Sequence, residues 1–204
     1  MAYRRTPAVQ ARLDGQRRAI VDAAVGLLSE HGYAGCSISA VAGRAGVAAG
    51  TVYRYFDSKT ELVAEVFRVV VTREVAAVAD AVNAADDPVN RAAAVIETFA
   101  GRALKAPRLA YALLAEPVGP EVDALRLQFR VEFGELVGGV IADGVRRGEL
   151  PPQNPDVVAA ALVGAIGEAL VRPLAGDAPA DLDTVPTLIA FTRRALGATP
   201  EENR

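Results

Sequence analysis

Residues 37–59 read SISAVAGRAGVAAGTVYRYFDSK. The spacing predicts two short helices, Ile38 to Ala45 and Ala48 to Tyr53, separated by Gly46-Val47. A glycine at the corner supplies the left-handed backbone conformation that a tight helix-helix turn needs. Helices joined in this way form a helix-turn-helix, whose second helix lies in the major groove while the first crosses the phosphate backbone. The second helix presents Ala48, Ala49, Gly50 and Thr51 at its start. Small side chains let the backbone approach base edges, and the free amides of a helix N-terminus attract a phosphate. Tyr53, Tyr55 and Lys59 follow closely, with hydroxyl and ammonium donors suited to phosphate oxygens. Phe56 reads as the core of this small head.

Working outward, every other segment also carries the helical period, and no strand-like alternation is evident. Residues 16–31 place Ile20, Ala23, Ala24, Leu27 and Leu28 on one face, and Gly32 stops the run. Ser58-Lys59-Thr60-Glu61 reads as a capping box that opens a long helix to roughly Ala85. Asp87-Pro88, Gly119-Pro120 and Asn154-Pro155 place proline at a first helical position, where its missing N–H costs nothing. They predict helices over 88–105, 120–147 and 155–172, the last ended by Pro173; Pro107 sets off a short helix at 108–115. A final helix begins within Pro179 to Asp183, and 199–204 reads as a frayed tail. The expected fold is all-α, about nine helices: a head over 1–60, a body over 61–198 and the tail.

Composition narrows the function classes. The chain has 204 residues, 51% hydrophobic and 23% charged, which excludes disorder and is ample for a core. One cysteine, Cys36, excludes a disulfide framework and fits a reducing cytoplasm. With His31 as its only histidine, the chain has no material for a zinc site or a Cys/His catalytic pair. Neither a metal nor a cofactor is expected. The N-terminus, Met1 to Arg18, is arginine-rich and lacks the apolar stretch of a signal peptide. The most apolar run, Val157 to Val171, contains Glu168 and is too short to span a bilayer, so a soluble cytoplasmic protein is expected. The net charge of −3 divides into +4 over residues 1–60 and −7 over the rest. A basic head on an acidic body points to a polyanionic partner for the head.

The stretch AGRAGVAAGTVYRYFDSKTEL resembles the signature of the TetR/AcrR family of one-component bacterial transcription regulators. AGV, GT, Y-x-YF and SK recur in that family at this spacing, and the preceding HGYAG and RRAIVDAA are similar as well. The likeness covers about 16–62; beyond it only helix number and length agree. It implies three helices forming a DNA-binding head, with Leu62 onward leading into a ligand-binding and dimerisation body. Carried over by position, Ser37 starts the second helix and contacts a phosphate. Ala49, Gly50, Thr51 and Tyr53 lie on the recognition helix, Tyr55 and Lys59 clamp the backbone, and Arg44 is a further candidate contact. The chain departs from the family at Ala48, where a capping serine is usual, and at Cys36, where threonine is common. Arg4 and Arg5 fit either a minor-groove arm or a solvated tail.

The resemblance further implies an effector pocket within 88–172, apolar with a few orienting polar groups. Phe99, Leu104, Tyr111, Leu114, Phe129, Phe133 and Ile166 are candidate walls, and Arg102, Arg130, Glu132 and Glu168 candidate anchors. The helix at 155–172 carries Ala161, Gly164, Ala165 and Gly167 in an apolar run, small residues that let a partner helix approach closely. With the helix at 182–197 it is expected to form a homodimer interface. The whole reading is a repressor that binds a pseudo-palindromic operator as a homodimer and is released by a small, largely apolar effector. Two other readings stand beside it. One is a helical enzyme using carboxylates such as Glu116, Glu132 and Glu168; the other is an interaction protein that has lost DNA binding.

Overall fold

The computed structural model describes residues 6–176 and 183–198. Arg4, Arg5, the tail and the segment before Asp183 in which the last helix was expected to begin lie outside them. Among the described residues there are nine helices and no strand. The head is built from α1 (Pro7–Gly35), α2 (Ile38–Ala45) and α3 (Ala49–Tyr53). The body is built from α4 (Lys59–Ala84), α5 (Pro88–Lys105), α6 (Pro107–Leu114), α7 (Pro120–Arg146), α8 (Pro155–Ala175) and α9 (Thr184–Ala195). Helix α4 belongs to both parts. It packs on α1 at its start and on α5 and α7 farther along.

The helix starts follow the local chemistry. Asp87, Asn154 and Ser58 each accept a backbone amide of the first turn, and Pro88, Pro120 and Pro155 occupy first positions. At the capping box, Ser58 accepts the Glu61 amide at 3.0 Å, and Glu61 reaches back to the Asp57 amide rather than to that of Ser58. Helix α1 starts far earlier than its apolar period predicts. Thr6 caps it and Pro7 opens it, but the residues of its first turns are almost all exposed and bury nothing. At its other end Gly32 breaks it, with φ 64° and ψ −169°.

Helix α8 corrects a second expectation. It runs through Pro173 to Ala175, because Leu174 is buried in the core and Gly176, in the left-handed region, closes the last turn. By length and composition α8 could cross a membrane. Its inner face, Leu162, Ile166 and Leu170, is instead buried in the protein core, where α8 packs chiefly on α7. Helix α9 lies mainly on α5, with Leu188 and Thr192 buried and Phe191 exposed.

Candidate nucleic-acid interface and body cavity

The head is organised around Ile20, Leu28, Val41, Val52 and Phe56, all essentially without exposure. Cys36 is fully buried there, its Sγ 3.9 Å from the Ala24 carbonyl, and burial pushes its thiol pKa up. Arg17 caps the Phe56 ring at 5.2 Å and pairs at 2.8 Å with Glu65 on α4, whose carboxyl it holds below the usual range. Ser37 caps α2 by accepting the Ala40 amide at 3.1 Å. Gly46 ends α2 at φ 67° and ψ 31°, a conformation that costs an L-residue about 1–2 kcal/mol. The corner therefore turns as the residue type requires, and α3 follows immediately.

On α3, Ala49, Gly50 and Tyr53 are exposed and Thr51 is half-buried, while Val52 faces the core. A Cβ at Gly50 would meet nothing within 4 Å, so this face is open for close approach. Ala48 occupies the N-cap with extended dihedrals and offers no side-chain acceptor. Ala48→Ser is therefore expected to stabilise the head by about 1 kcal/mol, measured as a higher urea midpoint. An unchanged midpoint would mean that α3 gains nothing from a cap.

The remaining candidates are tethered within the protein. Tyr55 is half-buried and its hydroxyl donates to Gln16 Oε1 at 3.0 Å. Lys59 Nζ donates to the Tyr33 carbonyl at 2.6 Å and sits 3.6 Å from the centre of the Tyr33 ring. Arg44 folds back over Gly26 and pairs with Glu30, whose carboxyl its hydrogen bond holds below the usual range. A Cβ on residue 26 would lie 2.7 Å from the Arg44 guanidinium, so a glycine there permits the pairing. His31 is exposed at the end of α1, 3.6 Å from the same Glu30.

In the body, two connected hollows share Phe99, Leu114, Phe129 and Arg130. The first, with about 660 Å³ of empty space, lies between α4, α5, α6 and α7 and adds Phe67, Val70, Val71, Glu74, Arg102, Leu109 and Arg126. The second, about 620 Å³, extends to α8 through Phe133, Leu162, Ile166 and Gly167. The phenyl rings of Phe99, Phe129 and Phe133 stack at 4.5–6.4 Å between them, and Phe67 meets Phe129 edge-on at 6.2 Å. Of the expected walls, Phe99, Leu114, Phe129, Phe133 and Ile166 come together here. Leu104 and Tyr111 pack against the core without lining either hollow, and Glu168 is exposed on α8. The α4 wall was missed: its residues look like ordinary core, and no local signal says which helix they face.

Among the polar candidates, Arg102 is held by Glu74 in a two-pronged pair at 2.5 and 2.8 Å. Glu132 accepts from Gln128 on its own helix and lines neither hollow. Arg130 alone among them lines both hollows, and within the described residues it has no hydrogen-bond or salt-bridge partner. Among the described residues no group of three or more histidine, cysteine or acidic side chains could hold a metal ion.

Comparison with known proteins bears on both parts. Residues 20–66 match the family described as bacterial regulatory proteins, tetR family. The fatty acid metabolism regulator protein of Bacillus subtilis is 43% identical over 49 residues, which is 24% of this chain and 25% of that protein. The HTH-type transcriptional repressor KstR of Rhodococcus jostii is 51% identical over 47 residues, or 23% of this chain and 22% of that one. The chain thus spans about a quarter of the length of these curated relatives. Solved structures reach farther. A TetR transcription regulator from Haloarcula marismortui superposes with TM-score 0.78 at 23% identity, covering 91% of this chain and 98% of that one. The regulator FadR from Bacillus subtilis, solved with stearoyl-CoA, gives 0.75 at 20% identity over 90% and 99%. Similarity at this level establishes the fold of the body, and sequence establishes the head: the chain carries the tetR-family domain of bacterial regulatory proteins on the helical body that such regulators share.

Proposed function

We propose that the chain is a cytoplasmic one-component transcriptional repressor, a homodimer whose two heads bind a pseudo-palindromic operator and are released by a small, largely apolar effector. The observation that carries this is the helix-turn-helix corner at Gly46, with the outer face of α3 left bare between Ala49 and Tyr53. The DNA contacts are Ser37, Arg44, Ala49, Gly50, Thr51, Tyr53, Tyr55 and Lys59. Arg44 must leave Glu30 to take part, a small cost because an exposed ion pair is worth about 0–1 kcal/mol. Lys59 need not leave Tyr33, since an ammonium has further donors. The head is 1–60 and the body 61–198.

The effector lies in the paired hollows, its apolar part among the phenyl rings and an acidic end at Arg130. A relative of this fold holds stearoyl-CoA, an acyl chain on a polyanionic carrier, which supports an effector of that general shape. The dimer forms through the outer face of α8, together with α9. Val157, Ala160, Ala161, Gly164, Ala165 and Glu168 are exposed in one stripe, and only 28% of the most apolar part of α8 is buried. Acidic side chains do not favour an enzyme reading, because Glu116, Glu132 and Glu168 line neither hollow.

The test is selection of genomic fragments by the purified protein, with affinity followed against salt, and then titration of the complex with n-alkyl carboxylates and n-alkanols of matched length. An inverted repeat with a steep salt dependence is expected, as is release favouring carboxylates, with Arg130→Met removing that preference. No enriched fragment would defeat the regulator reading; equal release by alcohols would defeat the acidic end.

A further inference from the structure

Hydrogen bonds run without a gap from the wall of the cavity to the first residue of α4, and the effector reading above uses none of them. The cavity end is Arg126 on α7, whose side chain is 13% exposed. Its guanidinium donates to the carbonyls of Ala112 at 2.9 Å and Leu113 at 2.7 Å, holding the end of α6, the helix that forms one wall of the first hollow. The same group donates to the Glu116 carbonyl at 2.5 Å. Glu116, in the connection between α6 and α7, turns its carboxylate toward α1. Its Oε2 accepts the Tyr33 N–H at 3.1 Å, across the break at Gly32. The Tyr33 carbonyl then accepts from Lys59 Nζ at 2.6 Å, beneath which lies the Tyr33 ring.

We infer that Glu116 is a positioning residue: by fixing Tyr33 it aims the Lys59 ammonium at the operator backbone, and through Arg126 it makes that aim depend on the cavity. This rests on the DNA-binding reading proposed above. An ammonium carries three donors. With one spent on Tyr33, the direction of the others is set by where the Tyr33 carbonyl stands. That carbonyl belongs to a short turn displaced from the axis of α1, and its own amide is tied only through a side chain from another element. Such a turn has two discrete arrangements, bonded to Glu116 or not, and coupling between sites requires an element of this kind. At 3.1 Å the Tyr33–Glu116 bond is near the long end of the hydrogen-bond range, so a shift of a few tenths of an ångström weakens it steeply. A molecule that wedges α6 outward moves the carbonyls held by Arg126, and the backbone of Glu116 with them. Reciprocally, DNA gripped by Lys59 favours the empty cavity.

The full-length chain, with its selected operator fragment as probe, tests this without any known effector. Glu116→Ala is expected to weaken binding roughly tenfold at matched salt and to reduce the slope of log affinity on log salt by about one, the mark of one lost phosphate contact. Lys59→Met should do the same, and the double variant should bind no more weakly than Lys59→Met alone. Glu116→Gln, which keeps a side-chain oxygen for the Tyr33 amide, should retain the wild-type slope. Arg126→Met enters the same chain from the cavity side and should lose the same slope, which keeps the test open if Glu116→Ala fails to fold. An additive double variant, or an unaltered slope in both Glu116→Ala and Arg126→Met, would overturn the inference and leave Glu116 a structural staple. If the wild-type chain binds no DNA, the regulator reading itself has failed, and this falls with it.

Discussion

Phe56→Ala is expected to destabilise the head by about 3–5 kcal/mol and to abolish operator binding altogether. Phe56 is 1% exposed and sits where α3 turns into α4, so its ring is shared by the recognition helix and the helix that leads into the body. Arg17 covers one face of the ring while its guanidinium holds Glu65. Removing the ring opens a cavity that α3, only five residues long, cannot close by itself. Native domains are stable by about 5–15 kcal/mol, so this one truncation removes a large share of that margin. Urea unfolding beside DNA binding checks it. Phe56→Leu should recover most of the stability and part of the affinity, and an alanine variant that binds normally would show that the corner does not depend on this ring.

Ala161→Arg is expected to split the homodimer and to lower operator affinity by about 10²-fold or more, because two linked heads gain avidity that one head lacks. Ala161 stands in the exposed stripe of α8, with Gly164 and Ala165 one turn on. A Cβ at Gly164 would meet nothing within 4 Å, which leaves room there for a second helix at close range. Arginine at 161 brings a charge and a long side chain into that approach and, on both subunits at once, repels itself. Sedimentation at micromolar concentration reads the oligomeric state directly. Leu170→Ala on the inner face of α8 is the contrasting case, costing stability about 2–5 kcal/mol but not association. A wild-type monomer, or a dimer indifferent to Ala161→Arg, would place the partner elsewhere.

Much of this was legible in the residues, and the failures have particular causes. Caps and prolines marked the starts of α4, α5, α7 and α8 because their physics is local. Thr6-Pro7 is the same signal, but the first turns of α1 are solvent-facing and carry no apolar period to draw attention to it. Pro173 reads as a stop, yet burial of Leu174 carries the helix past it. In the body, the aromatic members of the cavity wall were visible as large apolar side chains on α5 and α7. Which face of α4 closes the cavity depends on how distant helices pack, and the helical period says nothing of that. Arg44 shows the same limit at the surface. Its position on α2 suggested a free guanidinium, whereas its pairing with Glu30 depends on a glycine eighteen residues before it.

The fully buried thiol of Cys36 has a practical consequence. It is the chain's one cysteine, so a maleimide has a single place to react. Burial keeps that thiol protonated and out of reach, and only the thiolate attacks. Labelling must wait until α1 and α2 part, so its rate counts openings of the head and is blind to motions of the body. A mass spectrometer and a stopwatch thus suffice to time how often an operator-bound head, or a mutated one, comes apart.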